Sequence, residues 1–298
     1  MNAQDWRGVF PAITTPFDAQ GQVDHAFLRT HIGEMIKAGS RGLVPLGSLG
    51  EGATLTFDEK VAILKTCVEA CGDLPVVPGI SALSTDEAVA LAKKAQEVGC
   101  QGLMVLPPYV YRGTDDEMLA HMSAVIEATD LSCMLYNNPI AYGTDFRPEQ
   151  IKALAEKHSN LHSVKESSAD IRRVTEIKRL CGDRLALFVG VDDIIVEGIA
   201  AGCVGWIAGL VNAFPKESID LFDHATAGRR EEALKIYHWF LPLLRLDVVP
   251  KFVQLIKLTQ QEVGLGDERV RMPRMVISGA EREEALATIR EGIKNRPH

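Results

Sequence analysis

The sequence predicts an α/β protein, a (β/α)8 barrel with a C-terminal helical extension. Three observations carry that reading. Eight short apolar runs alternate with eight longer amphipathic stretches, the pattern of successive βα units. The last seventy residues read as helices alone. The chain has 298 residues, room for two average domains or for one barrel of about 250 residues. Right-handed crossovers make a parallel sheet the natural solution. A doubly wound open sheet is the alternative, but it calls for a dinucleotide loop, and no Gly-x-Gly-x-x-Gly occurs.

The strands fall at Val9–Thr14, Gly42–Leu46, Pro75–Ile80, Gly102–Leu106, Cys133–Tyr136, Leu161–Lys165, Ala186–Val189 and Val204–Ala208. The helices between and after them are His25–Ala38, Phe57–Cys71, Thr85–Val98, Asp115–Ala128, Pro148–Glu156, Ile171–Leu180, Ile194–Ala201 and Lys216–Thr226. In Phe57–Cys71 the apolar Val61, Leu64, Cys67 and Val68 recur with a helical period. Pro148 in a first turn, with Asp145 just upstream, marks a helix start. Arg230–Leu244, Pro250–Val263 and Ala280–Lys294 form the extension. The division is therefore a barrel over 1–227 and helices over 228–298. No linker rich in Pro, Gly or Ser separates them, and a separate helical domain is the alternative.

Composition narrows the function. Hydrophobic residues are 46% and charged residues 24%, enough core to exclude disorder. A net charge of −8 argues against broad nucleic-acid binding, which needs a basic face. No run of about 18 apolar residues suggests a membrane span, and the N-terminus lacks the pattern of a secretory signal. Six scattered cysteines without a CxxC pair then read as free thiols of a cytoplasmic protein. The histidines are scattered, with His158 and His162 the single HxxxH pair and no HxH, so no metal is expected.

Barrel enzymes place reactive groups at the C-terminal ends of their strands. Here those ends offer Ser48, Tyr109, Tyr136, Lys165, Asp192 and Asp193. Alternation puts Leu161, Ser163 and Lys165 on one strand face. If that face lines the interior, an enclosed amine can condense with a carbonyl as a Schiff base. A rim pair with Glu166 is the competing reading. Tyr136 shares a face with Met134, and adjacent barrel strands would set its phenol beside Lys165 to move protons. A tyrosine merely packed in the mouth is the competing reading there. Tyr109 lies at the same end, where an interface aromatic is the alternative. The turn Gly47-Ser48-Leu49-Gly50-Glu51-Gly52 can aim N–H groups at an anion, or be no more than a tight βα turn. It lacks the Lys-Ser/Thr of a nucleotide loop. Asp192 and Asp193 fit either substrate hydroxyls or a helix cap. Gly209 leaves room for ligand.

Together, Gly47-Ser48-Leu49-Gly50-Glu51, Tyr136-Asn137-Asn138-Pro139, Val164-Lys165-Glu166 and Gly190-Val191-Asp192-Asp193 resemble the dihydrodipicolinate synthase/N-acetylneuraminate lyase family, in order from about Gly8 to Asn212. The resemblance implies a homo-oligomer, a tetramer or dimer, that forms a lysine Schiff base with a small-molecule 2-oxo acid and needs no cofactor. It implies Lys165 as the Schiff-base lysine and Tyr136 as the acid/base. Ser48 and Tyr109 would complete a proton relay in which a tyrosine is reached across a subunit contact. The Ser48–Leu49 backbone would hold the carboxylate, and Ile207 would line the 2-oxo acid site.

Two departures bear on the substrate. The synthases carry an arginine five residues after the YN-P tyrosine, where Ala141 stands here, so a bidentate carboxylate fork is lost. Leu49 replaces a threonine in the turn. Gly190, Asp192 and Asp193 instead resemble the hydroxyl-binding segment of the sugar-acid lyases. Gly209 stands where sialic-acid lyases use serine. The wording is similar to the branch of 1-pyrroline-4-hydroxy-2-carboxylate deaminases, with 2-keto-3-deoxy sugar-acid dehydratases and aldolases as close relatives. A non-catalytic 2-oxo-acid-binding barrel and a phosphate-sugar barrel are the rival readings.

Overall fold

Strand and helix alternate as the periodicity requires. The computed structural model describes residues 1–297. It runs through β1 (Gly8–Pro11), α1 (His25–Ala38), α2 (Phe57–Cys71), β2 (Gly79–Ile80), α3 (Thr85–Val98), β3 (Gly102–Val105) and α4 (Asp115–Glu127). It continues with β4 (Ser132–Asn137), α5 (Pro139–Tyr142), α6 (Pro148–Lys157), β5 (Leu161–Glu166), α7 (Ile171–Cys181) and β6 (Ala186–Val189). Next come α8 (Ile195–Ala200), β7 (Gly205–Ala208), α9 (Pro215–Thr226), α10 (Arg230–Leu244), α11 (Phe252–Glu262) and α12 (Gly279–Lys294). Helix starts are set locally. Asp24, Thr56, Ser84 and Thr114 cap α1 to α4, each side chain accepting a first-turn N–H. Such a cap contributes about 1 kcal/mol.

The seven strands form one parallel sheet in the order β1-β7-β6-β5-β4-β3-β2. Its two edges meet on the segment 43–44. Val44 bridges Ala12 beyond β1, and Leu43 bridges Val76 ahead of β2. The Val44 N–H donates to the Pro11 carbonyl at 2.8 Å, and the Val77 N–H to the Leu43 carbonyl at 2.8 Å. The sheet is thereby curled shut, but the expected strand Gly42–Leu46 shrinks to two bridged residues. Pro45 has no N–H to add to a ladder, and Leu46 turns out at φ 64. Pro75 and Pro78 likewise confine the expected strand Pro75–Ile80 to Gly79–Ile80.

Two hydrophobic clusters divide the sheet's faces. Phe10, Val44, Val77, Met104, Met134, Tyr136, Phe188 and Ile207 fill the interior. A larger cluster lies between sheet and helices, and it takes in Phe240 and Leu244 of α10, Ile256 of α11 and Ile289 of α12. The extension is thus packed on the outer core of the barrel. One expectation is corrected. Leu161 does not share a face with Ser163 and Lys165. The register slips by one residue, so that Cys133 pairs Leu161 while Met134 pairs Ser163, and Leu161 joins the outer cluster. No helix among the described residues is long and apolar enough to cross a membrane.

Candidate active site

Lys165 ends β5 pointing inward. Its neighbour across the ladder is Tyr136 of β4, in register. The Lys165 Nζ lies 4.0 Å from the centre of the Tyr136 ring. Both side chains are buried, at 7% and 5% exposure. The rim pair with Glu166 does not form. Glu166 points to the opposite face, where it accepts from Asn137 Nδ2 at 3.1 Å and from the Ser168 N–H at 2.7 Å. Burial pushes its carboxyl above the usual carboxylate range, against those two hydrogen bonds. Asn137 also accepts from the Phe146 N–H at 2.9 Å, which fixes the chain leaving β4. The amine is therefore left with a phenol ring and no acid partner among the described residues.

Gly190, just past β6, makes room for this lysine. A Cβ there would fall 2.7 Å from both Cγ and Cε of Lys165 and would overlap the Ser167 hydroxyl. That hydroxyl is buried and has no hydrogen-bond partner among the described residues.

The hydroxyls gather on the β3–β4 side. Tyr142, which sequence reasoning passed over, is the hub. Its OH contacts the Ser48 hydroxyl. Its ring stands edge-on to Tyr136 at 5.7 Å and tilted to Tyr109 at 5.6 Å. Burial raises the Tyr109 hydroxyl above its ordinary range, opposed by hydrogen bonds with Ser81, Tyr142 and Ser48. Burial raises Tyr142 still further. Both therefore hold their protons near neutrality. The Tyr136 oxygen accepts from Asn138 Nδ2 at 2.9 Å. Tyr109 thus lies beside Tyr142 within its own chain. The signal for Tyr142 was present. Asn138 caps α5 by accepting from the Ala141 N–H, Pro139 occupies the first turn, and Gly143 closes it at φ 73.

The turn after residues 43–44 is built for close approach. The backbone N–H groups of Gly47, Ser48, Leu49 and Gly50 have no acceptor within the chain among the described residues. Leu49 itself is buried at 4% exposure. Glu51, at φ 54, is fully buried and locked by Lys257 of α11 at 2.7 Å and by the Arg271 N–H at 3.0 Å. The extension therefore clamps the turn that carries Ser48 and Leu49.

On the β6–β7 side, Asp192 is taken up by structural hydrogen bonds. It is fully buried, and its oxygens accept from Trp206 Nε1 at 2.8 Å, the Leu210 N–H at 2.8 Å and the Gly209 N–H at 3.1 Å. That work ties the turn ahead of α8 to the end of β7 and leaves the carboxylate saturated. Burial raises it to about 6, against those hydrogen bonds. Asp193 faces the extension, 3.9 Å from Arg245, and its carbonyl accepts the Tyr237 hydroxyl. Ile207 lines the interior. No three metal-binding side chains group together among the described residues.

Residues 5–292 match the Dihydrodipicolinate synthetase family. The chain belongs to that family. It is 32% identical over 287 residues to a 4-hydroxy-tetrahydrodipicolinate synthase of Geobacter metallireducens, covering 96% of this chain and 98% of that one. It is 35% identical to the Agrobacterium fabrum enzyme of the same name, covering 91% and 92%. The solved dihydrodipicolinate synthase of Bacillus anthracis superposes with a TM-score of 0.92 at 27% identity, over all of both chains. Against these family members, Ala141 sits on α5 at a cleft also lined by Tyr109, Tyr142 and Arg112. The Arg112 guanidinium packs on Gly143, where a Cβ would lie 2.5 Å from Cζ. An arginine therefore lines the same cleft as Ala141, delivered by the loop ahead of α4.

Proposed function

We propose that this chain is a Schiff-base-forming lyase for a small hydroxylated 2-oxo acid or its cyclic imine, with a 1-pyrroline-4-hydroxy-2-carboxylate deaminase-like dehydration as its reaction. The observation that carries the reading is the unpaired, buried Lys165 amine against Tyr136. The substrate carboxylate rests on the free N–H groups of Gly47–Gly50. The amine adds to C2, and proton transfer through Tyr136 lets water leave the carbinolamine as the imine forms. The protonated imine is an electron sink. A proton leaves C3 to the same phenol oxygen, and the C–H electron pair becomes the enamine. With a hydroxyl on C4, its loss as water follows. For the pyrroline, exchange of the ring nitrogen for Lys165 opens the ring. A proton then moves from C5 to C3, the resulting C4=C5 enamine tautomerises to the C5 imine, and water hydrolyses that imine to an aldehyde and ammonia while a second water frees Lys165. Tyr142, with Ser48 and Tyr109, replenishes the Tyr136 proton within one chain. Every step uses groups of the chain, substrate and water.

Aldol cleavage shares these steps until the C4 alcohol loses its proton and the C3–C4 bond breaks. A specific observation also favours a second reading. Arg112 lines the cleft beside Ala141, and the curated relatives named above are synthases, so condensation of pyruvate with aspartate semialdehyde is that reading. A panel of 1-pyrroline-4-hydroxy-2-carboxylate, 2-keto-3-deoxy sugar acids, N-acetylneuraminate, and pyruvate with aspartate semialdehyde separates them. Ammonia release from the pyrroline alone supports the deaminase. Turnover of the pyruvate pair alone overturns it in favour of the synthase.

A further inference from the structure

The barrel order divides the mouth around Lys165. β4 and β3 carry the tyrosines on one side, and β6 and β7 form the other. The second wall holds Gly190, Gly209 and one group that belongs to neither strand. Asp247 comes from the short turn 245–247 that follows α10. Its carboxyl reaches the end of β7, where a Cβ on Gly209 would collide with its Oδ1. It has no hydrogen-bond or ion-pair partner among the described residues, in contrast to the saturated Asp192 beside it. Its charged neighbours are Asp192, Asp193 and Lys165. The buried Ser167 hydroxyl on the same side of Lys165 also lacks a partner. Ser167 and Asp247 thus leave unpaired oxygens beside Gly190 and Gly209, on the wall opposite the tyrosines.

We propose that Asp247 is a specificity-determining residue that binds the C4 oxygen of a 2-oxo acid held on Lys165, and that Gly209 is glycine so that this carboxyl can enter the mouth. The assignment rests on the Schiff-base reading above. With C1 on the Ser48–Leu49 turn and C2 on Lys165, the chain of the substrate must leave toward one wall or the other. The tyrosine wall is filled by three rings, whereas the opposite wall is lined by glycines. A carboxylic acid both donates to and accepts from an alcohol. Burial and the neighbouring Asp192 carboxylate raise Asp247 above the usual carboxylate range, against the pull of Lys165.

The test compares 4-hydroxy-2-oxobutanoate with 2-oxobutanoate, which differ only in the C4 hydroxyl. Each is titrated for borohydride trapping on Lys165 of the full chain. The wild type is expected to half-saturate at about tenfold lower concentration with the hydroxylated acid, the effect of about one hydrogen bond. D247A brings the two acids within threefold of each other, D247N retains part of the preference, and G209S loses it through displacement of the carboxyl. Absence of a preference in the wild type, or a full preference in D247A, overturns the assignment. So does equal weakening of both acids in D247A and D247N, which marks a structural role. If neither acid labels Lys165 in the wild type, the Schiff-base reading itself falls, and the two failures are told apart.

Discussion

Lys165 and Tyr136 are paired in register on adjacent parallel strands, and the amine of one lies 4.0 Å from the ring centre of the other. The contact is electrostatically favourable to a cation over a π face, yet it supplies no carboxylate. Asp192 and Asp247 are the charged neighbours of the amine, and neither lies within ion-pair distance of it among the described residues. Lys165→Ala should lose at least about 10³-fold in kcat, since a nucleophile is removed. Its melting temperature should be equal to or above that of the wild type. A large fall in stability would mark the lysine as structural.

Tyr142 links Ser48 to Tyr109 and stands edge-on to Tyr136. Tyr142→Phe keeps the ring packing and removes the hydroxyl. Turnover should drop about 10²-fold, the scale of one acid/base contribution, while trapping on Lys165 persists. Unchanged kcat would place the relay elsewhere.

Glu51 and Lys257 form an ion pair with both side chains inaccessible to solvent. Removing one partner of such a buried pair costs about 3–5 kcal/mol at most here, because Arg274 also lies 3.8 Å from Glu51. Lys257→Met should lower the unfolding free energy by up to that amount in urea melts. The pair E51Q/K257M should recover part of that stability. Because Glu51 also anchors the turn after Ser48, the double variant should still show a raised KM for the 2-oxo acid. Recovery of both would confine the pair to stability.

His31 is buried, with Nε2 3.0 Å from Asn212 Oδ1. Burial holds it below its ordinary value, against the Asn212 hydrogen bond. The unfolded chain therefore takes up a proton near pH 6.5 that the folded chain refuses. Its contribution is full above that pH and is lost as the pH falls through it. The stability difference between wild type and His31→Gln should accordingly shrink between pH 7.5 and pH 5.5. A difference that grows on acidification would contradict the assigned sign.

The long helices were legible because cap and period agree, as in Phe57–Cys71, with Thr56 before it and Gly72 after it. Strand ends located Lys165 and Tyr136 because inward alternation survives in β4 and β5. Alternation alone misplaced Leu161, since a one-residue slip against β4 has no signature in the local pattern. The strand around Val44 was overextended because Pro45 and Leu46 obey turn geometry rather than hydropathy. Asp192 looked like a ligand in one dimension. Only the fold brings Trp206, Gly209 and Leu210 to it. Asp247 lay in a region read as helical padding, and no local motif announces that it reaches the barrel mouth.

Mass analysis of the borohydride-reduced complex with pyruvate is the most direct measurement. The account predicts one covalent adduct per chain, placed on Lys165 by peptide mapping and absent from Lys165→Ala. An adduct on another lysine, or none at saturating pyruvate, would contradict it.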